Sequence, residues 1–137
     1  MQRLTAAATL LFAIAIFPTA AAQMPVPQPN ADGDYPRTSH QLWRVVDADL
    51  NGLNCRWSEE MPDLWYAPDA RFPDLNIQDW TIVRRFDSGA FLTANTTPAG
   101  FTYIYDDRHF PWLKVSLGEN DEICLVRANQ EFVVPVQ

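Results

Sequence analysis

Three oxygen-bearing side chains, Asp47, Asp49 and Asn51, stand at alternate positions just before Gly52. This spacing matches the first half of an EF-hand calcium loop, in which carboxylate and amide oxygens bind the ion and the glycine allows a sharp turn. The second half of the motif fails, because its last position should hold a bidentate glutamate and holds Ser58 instead. The pattern therefore predicts a polar turn with no metal bound, and tight calcium binding is not expected.

The remaining chemically active residues form no catalytic constellation. The chain has two histidines, His40 and His109, too few for a zinc site without free cysteines. The acidic pairs Glu59-Glu60 and Asp106-Asp107 are adjacent in sequence, so in a strand their side chains would point to opposite faces, and we predict solvated turn residues. We predict no cofactor and no enzymatic activity. A secreted hydrolase that uses loop carboxylates is the alternative from another functional class.

The first 22 residues are typical of a secretory signal peptide. Arg3 gives a short positive start, an apolar run extends from Leu4 to Phe17, and Ala20 to Ala22 offer a small-residue cleavage site. A membrane anchor is the alternative, but the run is short for a bilayer span and no basic residues follow it. The sequence thus predicts a secreted or periplasmic protein, with no membrane span after cleavage.

Two further observations fit that compartment. The only two cysteines, Cys55 and Cys124, are expected to form one disulfide in an oxidising environment. The formal net charge is −7, and removal of residues 1–22 would make the chain more acidic still. An acidic chain argues against nucleic acid or anionic lipid as a partner. The sequence does not predict an oligomeric state.

The mature chain divides into a linker and one domain. Residues 23–41 contain four prolines among turn-forming residues, which favours an extended or disordered linker. Residues 42–137 show short β-branched and aromatic segments separated by Gly, Pro, Asn and Asp, a pattern typical of a small sandwich or barrel. Strands are expected near residues 42–46, 53–56, 80–86, 91–94, 101–105, 112–117, 123–127 and 132–136.

One segment of the domain breaks this pattern. Residues 57–79 are rich in proline, acids and aromatic rings and hold no helical or strand periodicity beyond a single turn. We predict a long irregular loop there, and such loops inside compact domains are often functional.

The strand motifs resemble those of a known family. Val45-Val46-Asp47 followed by Gly52-Leu53-Asn54-Cys55-Arg56 resembles the opening of bacterial SH3-like (SH3b-type) domains, with their Leu-Asn-x-Arg core. Trp112-Leu113-Lys114-Val115 resembles the family's Trp-x-x-Val strand, and residues 124–129 and 132–135 resemble its last two strands. The usual Gly-Pro turn after the arginine is missing. The resemblance implies an all-β, SH3-like small barrel of about five to seven short strands.

The candidate ligand-binding residues are aromatic. Strand alternation puts Leu113 and Val115 on one face and Trp112 on the other, so Trp112 is predicted at the surface if the first face is core. The resemblance implies that Trp112 lines a ligand groove. Trp57, Trp65 and Tyr66, in the long loop, are predicted to border it, although these rings could instead cover a small core.

These observations together predict a non-catalytic secreted binding module. The resemblance implies that it recognises cell-wall peptide or peptidoglycan, or an envelope protein. The acids of the long loop would favour a cationic or amine-bearing partner. A structural or stress-related envelope protein without a small ligand is a further alternative.

Overall fold

The protein is all-β. The computed structural model describes residues 14–21, 25–61, 74–96, 102–118 and 122–137. The strands found in these residues are β1 (Leu42–Val45), β2 (Leu53–Trp57), β3 (Thr81–Phe86), β4 (Phe91–Thr93), β5 (Tyr103–Tyr105), β6 (Pro111–Ser116), β7 (Ile123–Arg127) and β8 (Val133–Pro135). One 3₁₀ turn, Ile77–Asp79, precedes β3. The predicted fold class is confirmed, with eight strands in the described residues rather than five to seven.

The strands form two antiparallel sheets and not a closed barrel. The three-stranded sheet has the order β4-β1-β8, and the five-stranded sheet has the order β3-β2-β7-β6-β5. An isolated bridge between Ala94 and Val115 joins the two sheets at one corner. The prediction of a barrel therefore needs correction. Alternation of apolar residues predicts strands with one buried face, but it does not specify whether the first and last strands of a sheet pair to close a barrel.

An inner core fills the space between the sheets. Trp43 of β1 is fully buried there, its Nε1–H donates to the His40 carbonyl at 2.9 Å, and the Tyr35 ring meets it edge-on at 5.0 Å. The five-stranded sheet contributes the residues that alternate inward along its central strands, namely Leu53, Cys55, Leu113, Val115, Cys124 and Val126. The predicted inward face of β6, Leu113 and Val115, is thereby confirmed.

The disulfide between Cys55 and Cys124 is confirmed. The two residues lie on the neighbouring strands β2 and β7, with their Cα atoms 5.4 Å apart, and both are fully buried in the inner core. The bond joins residues 69 positions apart in the chain. It therefore fixes the pairing of the domain's second strand with its second-last strand.

Part of the predicted linker belongs to the fold. Tyr35 is only 3% exposed in the inner core, and Asp34 bridges Asn129. The predicted boundary at residue 42 is therefore too late. Proline content alone favours an extended chain, but packing of Tyr35 against Trp43 orders that chain. The predicted cleavage site at Ala22 lies outside the described residues, within which no helix is long and apolar enough to span a membrane.

A second core covers the outer face of the five-stranded sheet. Residues 74–80, just before β3 and called the returning segment below, lie over this face, and Leu75, Ile77 and Trp80 pack on it. They meet the sheet residues Ile104, Trp112 and Leu125. The end of the predicted long loop is thus apolar and buried, whereas residues 62–73 of that loop lie outside the described residues. The fold is consequently layered, with the three-stranded sheet, the five-stranded sheet and this returning segment stacked in that order.

The same outer face buries a lysine. Lys114 of β6 is 1% exposed, opposite Leu125 of β7. Burial lowers the pKa of Lys114 from 10.5 to about 8, because the charged ammonium group is poorly solvated there. The unfolded chain therefore binds more protons than the folded chain between those two pH values, and stability rises with pH across this window.

We expect this burial to be measurable as a pH dependence of stability. Between about pH 7.5 and about pH 9.5 the native protein should gain about 2 kcal/mol of unfolding free energy relative to Lys114→Met. Burial raises the pKa values of Tyr35 and Tyr103 above their ordinary 10.0, so these phenols titrate above that range. Chemical denaturation of both proteins at each pH gives the comparison. A difference that stays constant with pH would show that Lys114 remains protonated in the fold.

Candidate functional site

A row of side chains crosses the outer face of the five-stranded sheet. In the strand register Arg85 is opposite Asn54, and Trp112 lies opposite both Arg127 and Ile104. Directly opposite residues of antiparallel strands share a face, and alternate residues of one strand share it too. Arg56 is two positions from Asn54 and opposite Leu125, so it belongs to this face as well. The row thus brings three guanidinium groups to one side of an acidic protein.

A cleft of about 300 Å³ is bordered by residues of this face, by Gln78 and by the inner-core side chains Leu53 and Phe132. Polar, charged and aromatic groups meet in it. The residues that line it are Asp47, Leu53, Asn54, Arg56, Gln78, Trp112, Arg127 and Phe132. Most of these come from β2, β6 and β7, so the central strands of the sheet hold the site in position.

Arg127 is held rigidly at one side of the cleft. Its Nη2 forms an ion pair with Asp34 Oδ1 at 2.8 Å, and its Nη1–H donates to the Pro111 carbonyl at 2.8 Å. The guanidinium also lies 4.2 Å from the centre of the Phe110 ring. Contacts on this many sides fix the orientation of the guanidinium plane.

Arg56 is fixed from the returning segment. Its Nη1–H donates to the Trp80 carbonyl at 2.8 Å, which ties β2 to the start of β3. The pKa of Arg56 is lowered, first by burial and also by the nearby charge of Arg85, while Asp79 acts in the opposite direction. The two arginines are therefore close enough to repel each other.

Trp112 lines the cleft but is not a surface residue. It is on the outer face as predicted, yet only 5% of it is exposed, because Leu75 and Ile77 pack over that face. Its Nε1–H donates to Asp106 Oδ2 at 2.9 Å. The prediction of surface exposure is therefore wrong. Alternation assigned the side of the sheet correctly but could not reveal the segment that covers it.

Asp106 is also placed differently from the prediction. It is 4% exposed, and its Oδ1 accepts the backbone N–H groups of Arg108 and Phe110, both at 2.9 Å. It is a buried carboxylate that shapes the turn between β5 and β6 and orients the Trp112 indole, rather than a solvated residue. Asp107 beside it is exposed, as predicted.

Trp57 lies in a different concavity. It is 39% exposed at the end of β2 and lines a depression with Val83, Leu117, Glu122 and Ile123. It does not line the cleft that contains Trp112. Trp65 and Tyr66 lie outside the described residues. The described residues thus do not bring the four predicted aromatic side chains into one groove.

The Asp47 to Gly52 segment forms a turn. Asp47 Oδ1 accepts the Asp49 N–H at 2.9 Å, and Asp49 Oδ1 accepts the Asn51 N–H at 2.8 Å. These bonds turn the carboxylates towards their own backbone. Across the described parts of the chain, no group of three or more His, Cys, Asp and Glu side chains is arranged to hold a metal ion.

The cleft residues that the sequence did not suggest as part of a site are Leu53, Asn54, Arg56, Gln78, Arg127 and Phe132. A signal for the two arginines was present, because each alternates with an inward-facing core residue of its strand, Cys55 and Val126. A cationic partner is not favoured by the described lining. Arg56 and Arg127 contribute two positive charges to the lining and Asp47 one negative charge, while Asp34 pairs with Arg127 from outside the lining.

Comparisons of the chain with the models of known protein families, with curated proteins and with solved structures find no match in any of the three.

Proposed function

We propose that this protein is a non-catalytic binding module that acts outside the cytoplasm, and that the cleft on the outer sheet face holds its ligand. The observation that carries the proposal is the meeting of Arg56, Arg127, Trp112 and Phe132 around a cleft of about 300 Å³. A concave site with apolar walls and a few fixed polar groups is the usual form of a ligand site. Groups on strands are also positioned more precisely than groups on loops.

The partner that we propose is a cell-wall peptide or peptidoglycan. This proposal is supported by the resemblance of Leu53-Asn54-Cys55-Arg56 and Trp112-Leu113-Lys114-Val115 to SH3b-type motifs. Both motif segments contribute residues to the cleft, Asn54 and Arg56 from the first and Trp112 from the second. The Cys55–Cys124 disulfide is compatible with an extracytoplasmic protein.

The cleft favours binding over hydrolysis. Glycoside hydrolysis, for example, uses a pair of carboxyl groups on either side of the scissile bond. Among the described residues of the cleft lining, Asp47 is the one carboxylate. Its Oδ1 already accepts the Asp49 N–H.

The proposal predicts retention on purified sacculi that depends on the cleft. Arg56→Gln should weaken retention by about tenfold or more, because it replaces a charged donor with a shorter neutral one. Arg44→Gln is the matched control, since Arg44 is exposed on β1 in the other sheet. The measurement is the fraction of protein that sediments with sacculi over a concentration series.

A parallel pull-down from envelope extract separates the alternatives. Retention by an envelope protein and not by sacculi would replace the wall peptide with a protein partner. Equal retention of Arg56→Gln and Arg44→Gln would contradict the assignment of the cleft. No retention in either experiment would contradict a binding function and favour a structural envelope protein.

A further inference from the structure

The charge of the cleft narrows the ligand class. Of the ten Lys and Arg residues in a chain of net charge −7, Arg56, Arg85, Arg127 and Lys114 lie on one sheet face. Such a concentration of cations costs free energy through mutual repulsion, which Asp34 and Asp79 offset in part and an anionic ligand would offset further. Lys114 is 1% exposed and does not line the cleft, whereas Arg56 and Arg127 line it and Arg85 contacts the lining residue Asn54.

The three arginines differ in how far their charge is already neutralised. Asp34 pairs directly with Arg127 at 2.8 Å, so this residue acts mainly as a fixed wall of the cleft. Arg56 donates to a neutral carbonyl of Trp80, with Asp79 offsetting part of its charge from beyond ion-pair distance, and Arg85 Nε–H donates at 3.1 Å to the neutral amide oxygen of Asn54. A guanidinium group carries five N–H donors, more than these contacts use. The positive charge open to a ligand is therefore centred on Arg56 and Arg85.

The other lining groups indicate what the anion is attached to. Asn54 and Gln78 offer amide groups, which can pair with the N–H and C=O groups of a peptide. Trp112 and Phe132 offer ring surface for a small apolar side chain. A volume of about 300 Å³ is at the lower end for ligand sites, so it accommodates one or two residues of a chain.

We infer that the cleft binds the terminal carboxylate of a short peptide, with Arg56 as the main charged donor and Arg85 at the rim. This inference rests on the proposed binding function and extends it by giving the ligand's charge and end group. The carboxylate oxygens accept hydrogen bonds from the N–H groups of Arg56, and such charge-assisted hydrogen bonds are about twice as strong as neutral ones. Arg85 adds attraction from an exposed position, which dissolved salt screens.

A matched pair of small probes tests the inference. N-acetyl-alanyl-alanine has a free carboxylate, and N-acetyl-alanyl-alaninamide has the same shape without the charge. By calorimetric or NMR titration we expect the acid to bind about tenfold or more tightly than the amide. The preference should disappear in Arg56→Gln, weaken by a smaller factor in Arg85→Gln and persist in Arg44→Gln. Added salt should weaken binding of the acid and leave that of the amide unchanged.

Several results would overturn the inference. These are equal affinity for acid and amide, no binding of either probe, or an unchanged preference in Arg56→Gln. Thermal melts establish whether each variant is folded. If Arg56→Gln is unfolded, Arg85→Gln still tests the inference, because Arg85 is exposed and its replacement leaves the core intact. Retention on sacculi with equal binding of both probes would leave the proposed function standing without a carboxylate site. Selective binding of the acid without retention on sacculi would support the carboxylate site and contradict the proposed recognition of the cell wall.

Discussion

Removal of the Cys55–Cys124 disulfide is expected to lower the free energy of unfolding by about 3–5 kcal/mol. The bond joins residues 69 positions apart, and on the chain-entropy model a cross-link that closes so long a loop strongly restricts the unfolded chain. Small domains have a total stability of about 5–15 kcal/mol, so the loss is a large share of it. The comparison is urea denaturation of the oxidised protein and of the Cys55→Ala/Cys124→Ala double variant.

Reduction of the native protein separates the cross-link from side-chain packing. Both cysteines are fully buried in the inner core, so the alanine variant also leaves small cavities, whereas reduced native protein does not. We expect the reduced protein to lose most of the same free energy. If non-reduced protein gave two free thiols by mass spectrometry, or if reduction left its unfolding midpoint unchanged, the described pairing of β2 with β7 would be in error.

Trp112→Ala is expected to destabilise the fold by about 3–5 kcal/mol. The indole is 5% exposed and belongs to the second core with Ile77 and Leu125. Its loss creates a cavity and removes the N–H donor from Asp106 Oδ2. For this reason Trp112→Ala cannot serve as a pure binding variant, although the sequence predicted Trp112 at the surface.

Two other substitutions calibrate this result. Trp112→Phe keeps a ring in the cavity and loses the bond to Asp106, so a cost of about 1–2 kcal/mol is expected. Val115→Ala removes two methyl groups from the inner core and should cost about 1–3 kcal/mol. Thermal melts of all three variants provide the comparison. Should Trp112→Ala melt at the native temperature, the second core would not contribute to stability as described.

Local sequence patterns predicted the strands well. Turn signals such as Asp87-Ser88-Gly89 placed β3 and β4 within about one residue of their observed limits, because turn chemistry and strand periodicity act over a few neighbouring residues. The same periodicity assigned Leu113 and Val115 to the inner core. The disulfide followed from the cysteine count and the expected compartment.

Contacts between distant segments were not predictable in this way. Tyr35 is surrounded in sequence by turn residues and proline, and its burial depends on Trp43 and the sheet that Trp43 belongs to. Leu75 and Ile77 end an irregular acidic segment, yet they cover the face that carries Trp112. Periodicity specifies which side of a strand a residue is on. It does not specify what packs there, and this limit explains the error on Trp112.

In the candidate site, too, local patterns were predictable and contacts between distant segments were not. Aromatic residues drew attention in the sequence because exposed rings often anchor ligands. In the structure Trp57 and Trp112 line different concavities, and the cleft that Trp112 lines is also lined by Arg56 and Arg127, which come from two other strands. Only the strand order β2-β7-β6 brings Arg56, Arg127 and Trp112 together. That order depends on long-range pairing, which no short motif encodes.

An NMR titration of the native protein with N-acetyl-alanyl-alanine tests the central claim most directly, because it locates the ligand on the fold. The claim predicts the largest shift changes at the side-chain amide of Asn54, the ring protons of Trp112 and the side chain of Arg56, because these three residues line the cleft. Shift changes centred instead on Trp57 and Val83, which line the other depression, or on Arg44 in the three-stranded sheet, would contradict it.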